Sequence, residues 1–273
     1  MATDSEVRQM SILVIGATGK TGRRVAQRLA EAGVAVRGVS RPVFDWERRE
    51  TWAPALTGVS AAYVTYSPDL AAPGAAAAVE AFVQTATDAG VDRLVLLSGR
   101  GEAGAERCEK LLRASDVVLR ASWFNQNFSE GHLLDSVLGG VIALPAGEVA
   151  EPFVDVDDIA DVAVAALTED GHAGRLYELT GPRLLTFADA AAEIAEASGR
   201  DVAYVSPSPA DFHAELVPTV GPALADLLTA LCEEVFDGRN ASLADGVQQA
   251  LGRSPRDFAD FCAAAVAAGA WAR

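Results

Sequence analysis

The stretch Ile12-Leu13-Val14-Ile15-Gly16-Ala17-Thr18-Gly19-Lys20-Thr21-Gly22 constrains the fold more than any other part of the chain. Four apolar residues suit a strand covered on both faces. The spacing Gly16-x-x-Gly19-x-x-Gly22 suits a tight turn, and Val25, Ala26, Leu29 and Ala30 then repeat at helical spacing. A strand, a glycine turn and a helix bring unpaired amides and the positive end of a helix dipole to one point, which is where a dinucleotide pyrophosphate is held. The first glycine permits the turn, the second lets the backbone approach the pyrophosphate, and the third lets helix and strand pack closely. Thr18 and Thr21 add hydroxyl donors, and Lys20, one of two lysines in the chain, adds charge. Gly16 to Gly22 are thus candidate cofactor-binding residues, Ala17 included.

Apolar runs and helical patterns alternate through the next 160 residues or so. Strands are expected at 12–16, 34–40, 61–66, 91–97, 116–120 and 176–179. Helices are expected near 20–32, 74–89, 105–114 and 155–167, with a loop-helix segment from Trp123 to Gly139-Gly140. The link through Phe44, Asp45, Trp46 and Trp52 is too short for a full strand-helix unit. This alternation predicts an α/β fold, a doubly wound parallel sheet with right-handed crossovers. From Thr186 onward helices dominate, near 187–198, 221–236, 243–251 and 256–268, as in a small, mainly helical substrate lobe. The expected organisation is a flexible tail at 1–9, a nucleotide-binding core at 10–185 whose 123–150 part contributes to the substrate pocket, and a cap at 186–273.

The end of the second strand decides between cofactors, because it meets the adenosine ribose. A carboxylate there favours NAD(H), and an arginine accommodates the extra phosphate of NADP(H). This chain places Ser40-Arg41 at that point, and a guanidinium fork beside a hydroxyl suits a phosphate. NADP(H) is therefore preferred over NAD(H). Asp45 and Trp46 lie slightly further on and are candidates for the adenine, with a turn cap and a core aromatic as their alternative roles.

Charge and cysteine usage exclude other classes. The net charge of −16, with 22 basic residues of which only two are lysine, repels nucleic acid and anionic membranes. No apolar run approaches the ~18 residues of a membrane span. The polar start of the chain does not resemble a signal peptide, so a cytoplasmic location is expected. Cys108, Cys232 and Cys262 are far apart and odd in number, as three buried reduced thiols would be. Asp155, Asp157, Asp158 and Asp161 cluster where a helix begins, which favours structural capping on its exposed side over a metal site.

Six segments together carry a family resemblance: Ile12–Gly22, Val39-Ser40-Arg41, Phe44-Asp45-Trp46, Leu94–Glu102, Trp123–Phe128 and Phe153–Leu167. They resemble the NmrA-like group of atypical short-chain dehydrogenase/reductases through almost the whole chain. The resemblance implies a Rossmann core with a C-terminal substrate lobe. It also implies one of several activities, since members of this group include NADPH-dependent quinone or ketone reductases and redox sensors that bind the cofactor without turning it over. In the superfamily's usual reductases a tyrosine and a lysine in YxxxK deliver the proton, with a serine at the end of the preceding strand. Ser98 matches that serine. The tyrosine and lysine positions fall on Gly101 and Ala105, and no tyrosine occurs between Tyr66 and Tyr177.

Hydride transfer to a carbonyl still needs a proton source. Ser98 and Tyr66 are the candidate catalytic hydroxyls, and with Gly99 they end strands where the nicotinamide is expected. Trp123, Phe124, Asn125 and Asn127 supply the aromatic walls and amides of a substrate pocket, to which His132 and Phe153 are added. His172 and His213 have no partner at ligand spacing, and Glu102 and Glu106 are expected on the solvated surface. No metal site is expected. Three readings stay open: a reductase of a small quinone or ketone, an NADP(H) sensor acting through a protein partner, and a scaffold that binds or isomerises a ligand without redox change. An Ala-rich helix face leaves a homodimer open as well.

Overall fold

The computed structural model describes residues 10–272, so the expected tail at 1–9 lies outside the described residues. Strand β1 (Ser11–Ile15) leads through the glycine turn into α1 (Lys20–Glu31) and β2 (Val36–Val39). A 3-10 turn (Arg49–Thr51) and α2 (Trp52–Leu56) precede β3 (Val59–Val64), α3 (Ala75–Asp88), β4 (Arg93–Gly99), α4 (Ala103–Glu109) and β5 (Val117–Ala121). Then come α5 (Asn127–Glu130), α6 (Leu134–Gly139), β6 (Val141–Ala143), β7 (Ala150–Glu151), α7 (Val156–Thr168), β8 (Leu176–Leu179) and β9 (Leu185–Thr186). The remainder is α8 (Phe187–Ser198), β10 (Ala203–Val205), α9 (Pro209–Val220), α10 (Pro222–Val235), α11 (Gly246–Leu251) and α12 (Phe258–Ala267).

The main sheet has six strands in the order β2-β1-β3-β4-β5-β8. Strand β1 runs parallel to β2, with Ile12 opposite Val36, and to β3, with Val14 opposite Tyr63. Strand β3 runs parallel to β4, with Ala61 opposite Arg93. Its near-continuous apolar strands suit a sheet covered by helices on its faces, and Leu13, Val14, Ala62, Tyr63 and Val95 are wholly buried. The expected α/β class and parallel sheet are what the structure shows. The chain grows outward from β1 to β2 and then resumes on the other side at β3. The carboxyl ends of β1 and β3 are therefore the point where the winding reverses, the place where such sheets bind ligands.

Two compact units make up the chain. The first takes in the chain up to Leu97 with Arg107–Leu119 and Ala160–Leu176, and the second Ser98–Glu106, Arg120–Ile159 and the chain from Tyr177 on. The first unit holds an aromatic cluster in which Phe44, Trp46, Trp52 and Phe82 meet at centroid distances of 5.1 to 6.4 Å. The second unit is built on Phe128, Phe153, Phe187, Phe258 and Phe261, closed by Trp271, whose indole N–H donates to the Phe128 carbonyl at 2.9 Å.

Several expectations are corrected. The helix expected to 114 stops at Glu109, because Asp116 gathers the Arg113 backbone N–H and guanidinium into a separate turn. Helix α9, with Ser208 capping the Asp211 N–H at 3.1 Å, and the parallel pair β6–β10 were not expected from the pattern, since both are short on apolar periodicity. The acidic cluster is not on an exposed helix face: Asp155 is 4 % exposed and Asp158 not at all. Asp155 does cap α7, accepting the Asp157 N–H at 2.8 Å. Asp158 instead pairs with Arg253 and Arg256, and Asp161 with Arg28 at 2.7 Å. No helix among the described residues is long and apolar enough to cross a membrane.

Candidate functional site

The glycine turn is folded tightly on itself. Gly16 has φ +74°, and its N–H and that of Ala17 both donate to the Val39 carbonyl, at 2.9 and 3.1 Å. The Gly19 N–H donates to the Gly16 carbonyl at 2.8 Å. A Cβ on Gly22 would stand 2.2 Å from that same carbonyl oxygen, and one on Gly16 would stand 2.3 Å from Thr65 Oγ1. The Thr65 hydroxyl donates to the Ile15 carbonyl at 3.0 Å and so stitches together the ends of β1 and β3.

Helix α1 opens in a manner that a helix alone would disfavour. Gly19, its N-cap, offers no capping side chain, and its first turn contains no acidic residue. Lys20, Arg23 and Arg24 instead add positive charge at the positive end of the dipole. Burial and the charge of Arg23 both lower the Lys20 pKa. A bound anion would relieve both conflicts, so the cradle fits a pyrophosphate.

Ser40 and Arg41 follow β2 directly, and the Thr18 N–H donates to Ser40 Oγ at 3.3 Å, tying the turn to that strand end. Arg41 is exposed, and its guanidinium has no hydrogen-bond or ion-pair partner among the described residues. Asp45 is committed to its own turn: its carboxylate accepts the Glu47 N–H at 3.1 Å, and its carbonyl accepts the Trp52 indole N–H at 2.8 Å. Trp46 donates its indole N–H to the Thr65 carbonyl at 2.9 Å and packs 4.9 Å from the Tyr66 ring. Tyr66 is half-buried beyond the end of β3, and burial raises its hydroxyl pKa, which keeps it protonated at neutral pH.

In the second unit, Ser98 is 4 % exposed near the end of β4. The next residue, Gly99, is overlaid by Glu102, whose Oε1 would lie 2.2 Å from a Cβ there, so Glu102 is not simply a solvated side chain. The loop is held fast: Arg100 donates to the carbonyls of Asn240 and Ser242, both at 2.8 Å, and Arg239 donates to the Gly101 carbonyl at 3.0 Å.

Trp123 stacks on Phe236 at 5.1 Å, with Phe187 at 5.5 Å and the exposed His132 at 6.1 Å edge-on to it. Phe124 is half-buried and bridges to Val154. Gln126 clips the segment to α7, donating to Asp155 Oδ1 at 2.8 Å and accepting the Val156 N–H at 2.9 Å. Asn127 is 8 % exposed at the start of α5. Asn125 is wholly buried, and neither polar atom of its side chain has a hydrogen-bond partner among the described residues. Phe153 lies in the core, with Phe128, Phe187 and Phe258 rings at 5.1 to 5.6 Å. His172 is buried and its pKa is lowered by burial, while His213 pairs with Asp226 at 2.7 Å on the surface.

One pair escaped the sequence reading. Glu151 is wholly buried, and Ser122 Oγ donates to its Oε2 at 3.4 Å, while its Oε1 has no partner among the described residues. Burial pushes its pKa up to about 7, against the opposing effects of the Ser122 bond and the Arg100 charge. The only sequence signal is a lone carboxylate in the run Val149-Ala150-Glu151-Pro152-Phe153-Val154. Between the ordinary and the raised pKa the folded state holds a proton that the unfolded chain releases. Glu151 therefore makes stability fall as pH rises through that window.

No family model matches the chain. It is 32% identical over 276 residues to the oxidoreductase YesF of Bacillus subtilis, covering 94% of this chain and 96% of that protein. It is 30% identical to the NAD(P)H azoreductase of Xenophilus azovorans, covering 94% and 98%. The fold is similar to that of the Escherichia coli NADPH-dependent quinone oxidoreductase QOR2 in complex with NADPH, with a TM-score of 0.73 and 24% identity over 93% of this chain and 99% of that one.

Proposed function

This chain belongs to the NAD(P)H-dependent reductases of the NmrA-like group of atypical short-chain dehydrogenase/reductases, and from that premise we propose that it uses NADPH to reduce a small quinone or ketone. The observation that carries the cofactor reading is the cradle: two glycines that admit no side chain, a helix start without acid or cap, and an unpartnered Arg41 just past β2. Gly16 to Gly22 would hold the pyrophosphate, and Ser40 with Arg41 the 2′-phosphate. When bound, NADPH supplies a hydride.

The acceptor side rests on Trp123, whose stacked and half-buried ring suits a flat conjugated molecule. Tyr66 in the first unit and Ser98 in the second remain proposed hydrogen-bonding hydroxyls toward bound ligand, without being the source of the transferred proton. A quinone suits a protein whose helix α4 contains no tyrosine, because hydride addition gives a phenolate stabilised by conjugation that water can protonate, whereas a ketone gives a basic alkoxide that needs a proton donor. A cytoplasmic setting, where thiols stay reduced, agrees with three buried unpaired cysteines.

Arg41→Ala is expected to weaken NADPH by about 10- to 100-fold, the range of ~1.5–3 kcal/mol for hydrogen bonds to a charged group, and to leave NADH within about threefold. Fluorescence titration of both cofactors checks this, and equal losses would contradict the phosphate role. Mixing the protein with NADPH and a panel of quinones, aromatic ketones and aldehydes tests the activity. Steady loss of nicotinamide absorbance is expected. Tight cofactor binding with no turnover would favour the sensor reading, which the missing tyrosine also supports.

A further inference from the structure

A reductase that adds hydride to a carbonyl must also deliver a proton, and helix α4 carries no phenol for that purpose. Among the carboxylates of the second unit most are already committed. Asp158 is ion-paired, Glu178 pairs with Arg120 at 2.9 Å, and Asp155 caps α7. Glu151 differs from these. It is wholly buried, one of its oxygens is unpartnered among the described residues, and the other faces a hydroxyl. That hydroxyl belongs to Ser122, the residue after β5, whose N–H donates to the Leu179 carbonyl at 3.0 Å. Ser122 retains 5 % exposure and immediately precedes the Trp123 ring.

We propose that Ser122 and Glu151 form the proton relay of the proposed reduction, with Ser122 the catalytic residue and Glu151 the positioning residue that reprotonates it. The inference rests on the reductase reading and deepens it. In the step, the substrate carbonyl carbon gains a hydride and its π bond breaks toward oxygen. The Ser122 hydroxyl, which at rest donates to Glu151 Oε2, turns to that oxygen and gives it its proton, Ser122 Oγ then takes the Glu151 carboxyl proton, and the Glu151 carboxylate regains one from water after product leaves. The environment suits the task. Burial keeps the acid protonated near neutrality, opposed by the Ser122 bond and by the charge of Arg100. Arg100 is itself held by Asn240, Ser242 and, at 3.5 Å, Glu178, so its charge is fixed in place. Across the β7–β9 pair, Glu151 faces Leu185, which brings no charge.

The test compares wild type with Glu151→Gln and Ser122→Ala, after melting curves show that the variants fold. With a ketone acceptor, wild-type kcat is expected to fall as pH rises above about 7, and Glu151→Gln to be slower by about 100-fold and flat in pH. With a triarylmethyl cation dye, which takes a hydride and needs no proton, Glu151→Gln is expected to match wild type. Infrared difference spectra of wild type against Glu151→Gln, read without cofactor or substrate, are expected to show a protonated carboxyl band at about pH 6 that disappears by about pH 9. Absence of that band at about pH 6, or a Glu151→Gln enzyme with wild-type ketone kinetics and pH profile, overturns the relay alone. A wild-type protein that turns over no acceptor overturns the reductase reading and the relay with it.

Discussion

Gly22→Ala is expected to weaken NADPH binding by about 100-fold, equivalent to ~2.7 kcal/mol and within the ~1–3 kcal/mol that overpacking costs. The added Cβ would meet the Gly16 carbonyl oxygen at 2.2 Å and its carbon at 2.7 Å. Both are backbone atoms that cannot rotate away. The carbonyl is itself held by the Gly19 N–H at 2.8 Å, so relief must come from α1 shifting against β1. That shift moves the amides meant for the pyrophosphate. Gly33→Ala separates cradle damage from general strain, since Gly33 has φ +76° at the end of α1 but open space around it. It is expected to lower the melting temperature and to leave NADPH affinity within about twofold, because the ~1 kcal/mol conformational cost falls on the fold alone. Titration of NADPH fluorescence, with circular dichroism as the folding check, reads both variants.

Asp116→Ala is expected to cost about 3–5 kcal/mol of stability, the range for removing one partner from a buried ion pair. The Asp116 side chain is wholly buried and accepts four kinds of donor: the Leu94 N–H at 2.8 Å, the Arg113 N–H at 2.8 Å, Arg113 Nη2 at 2.7 Å and Arg113 Nε at 3.0 Å. Truncation leaves the buried Leu94 amide, the half-buried Arg113 amide and a guanidinium without this acceptor. It also releases the turn that leads into β5 from the start of β4. Arg113 would keep the Val91 carbonyl at 2.8 Å, so part of the turn survives. Denaturant unfolding of wild type and variant measures the difference, and a loss below about 1 kcal/mol would show that the carboxylate is dispensable to this corner.

These two residues also show what can be read from sequence. Gly22 was legible because its constraint is local: the spacing of three glycines between an apolar run and a helical pattern specifies the turn by itself. The same holds for Ser40 and Arg41, which follow β2 without interruption. Asp116 and Glu151 were not legible in that way. Their importance depends on which backbone amides or hydroxyls the fold brings to them from 22 and 29 residues away. Asp45 and Trp46 show an intermediate case, since their types suit both an adenine contact and a turn cap with a core aromatic. The structure shows the second set of interactions, Asp45 in its turn and Trp46 in the aromatic cluster. The acidic run at 155–161 misled because charge in a helix pattern normally marks a solvated face, whereas Asp158 turns inward to two arginines distant in the chain.

Isotope labelling shows whether this protein passes a hydride from NADPH to an organic acceptor. NADPH carrying deuterium at the transferable nicotinamide position is incubated with the protein and an aromatic ketone, and the product is examined by mass spectrometry. The expected product is an alcohol with one carbon-bound deuterium, formed in proportion to the cofactor oxidised. Cofactor that stays bound and reduced with every acceptor, or a product in which the carbon-bound hydrogen comes from water, would contradict it.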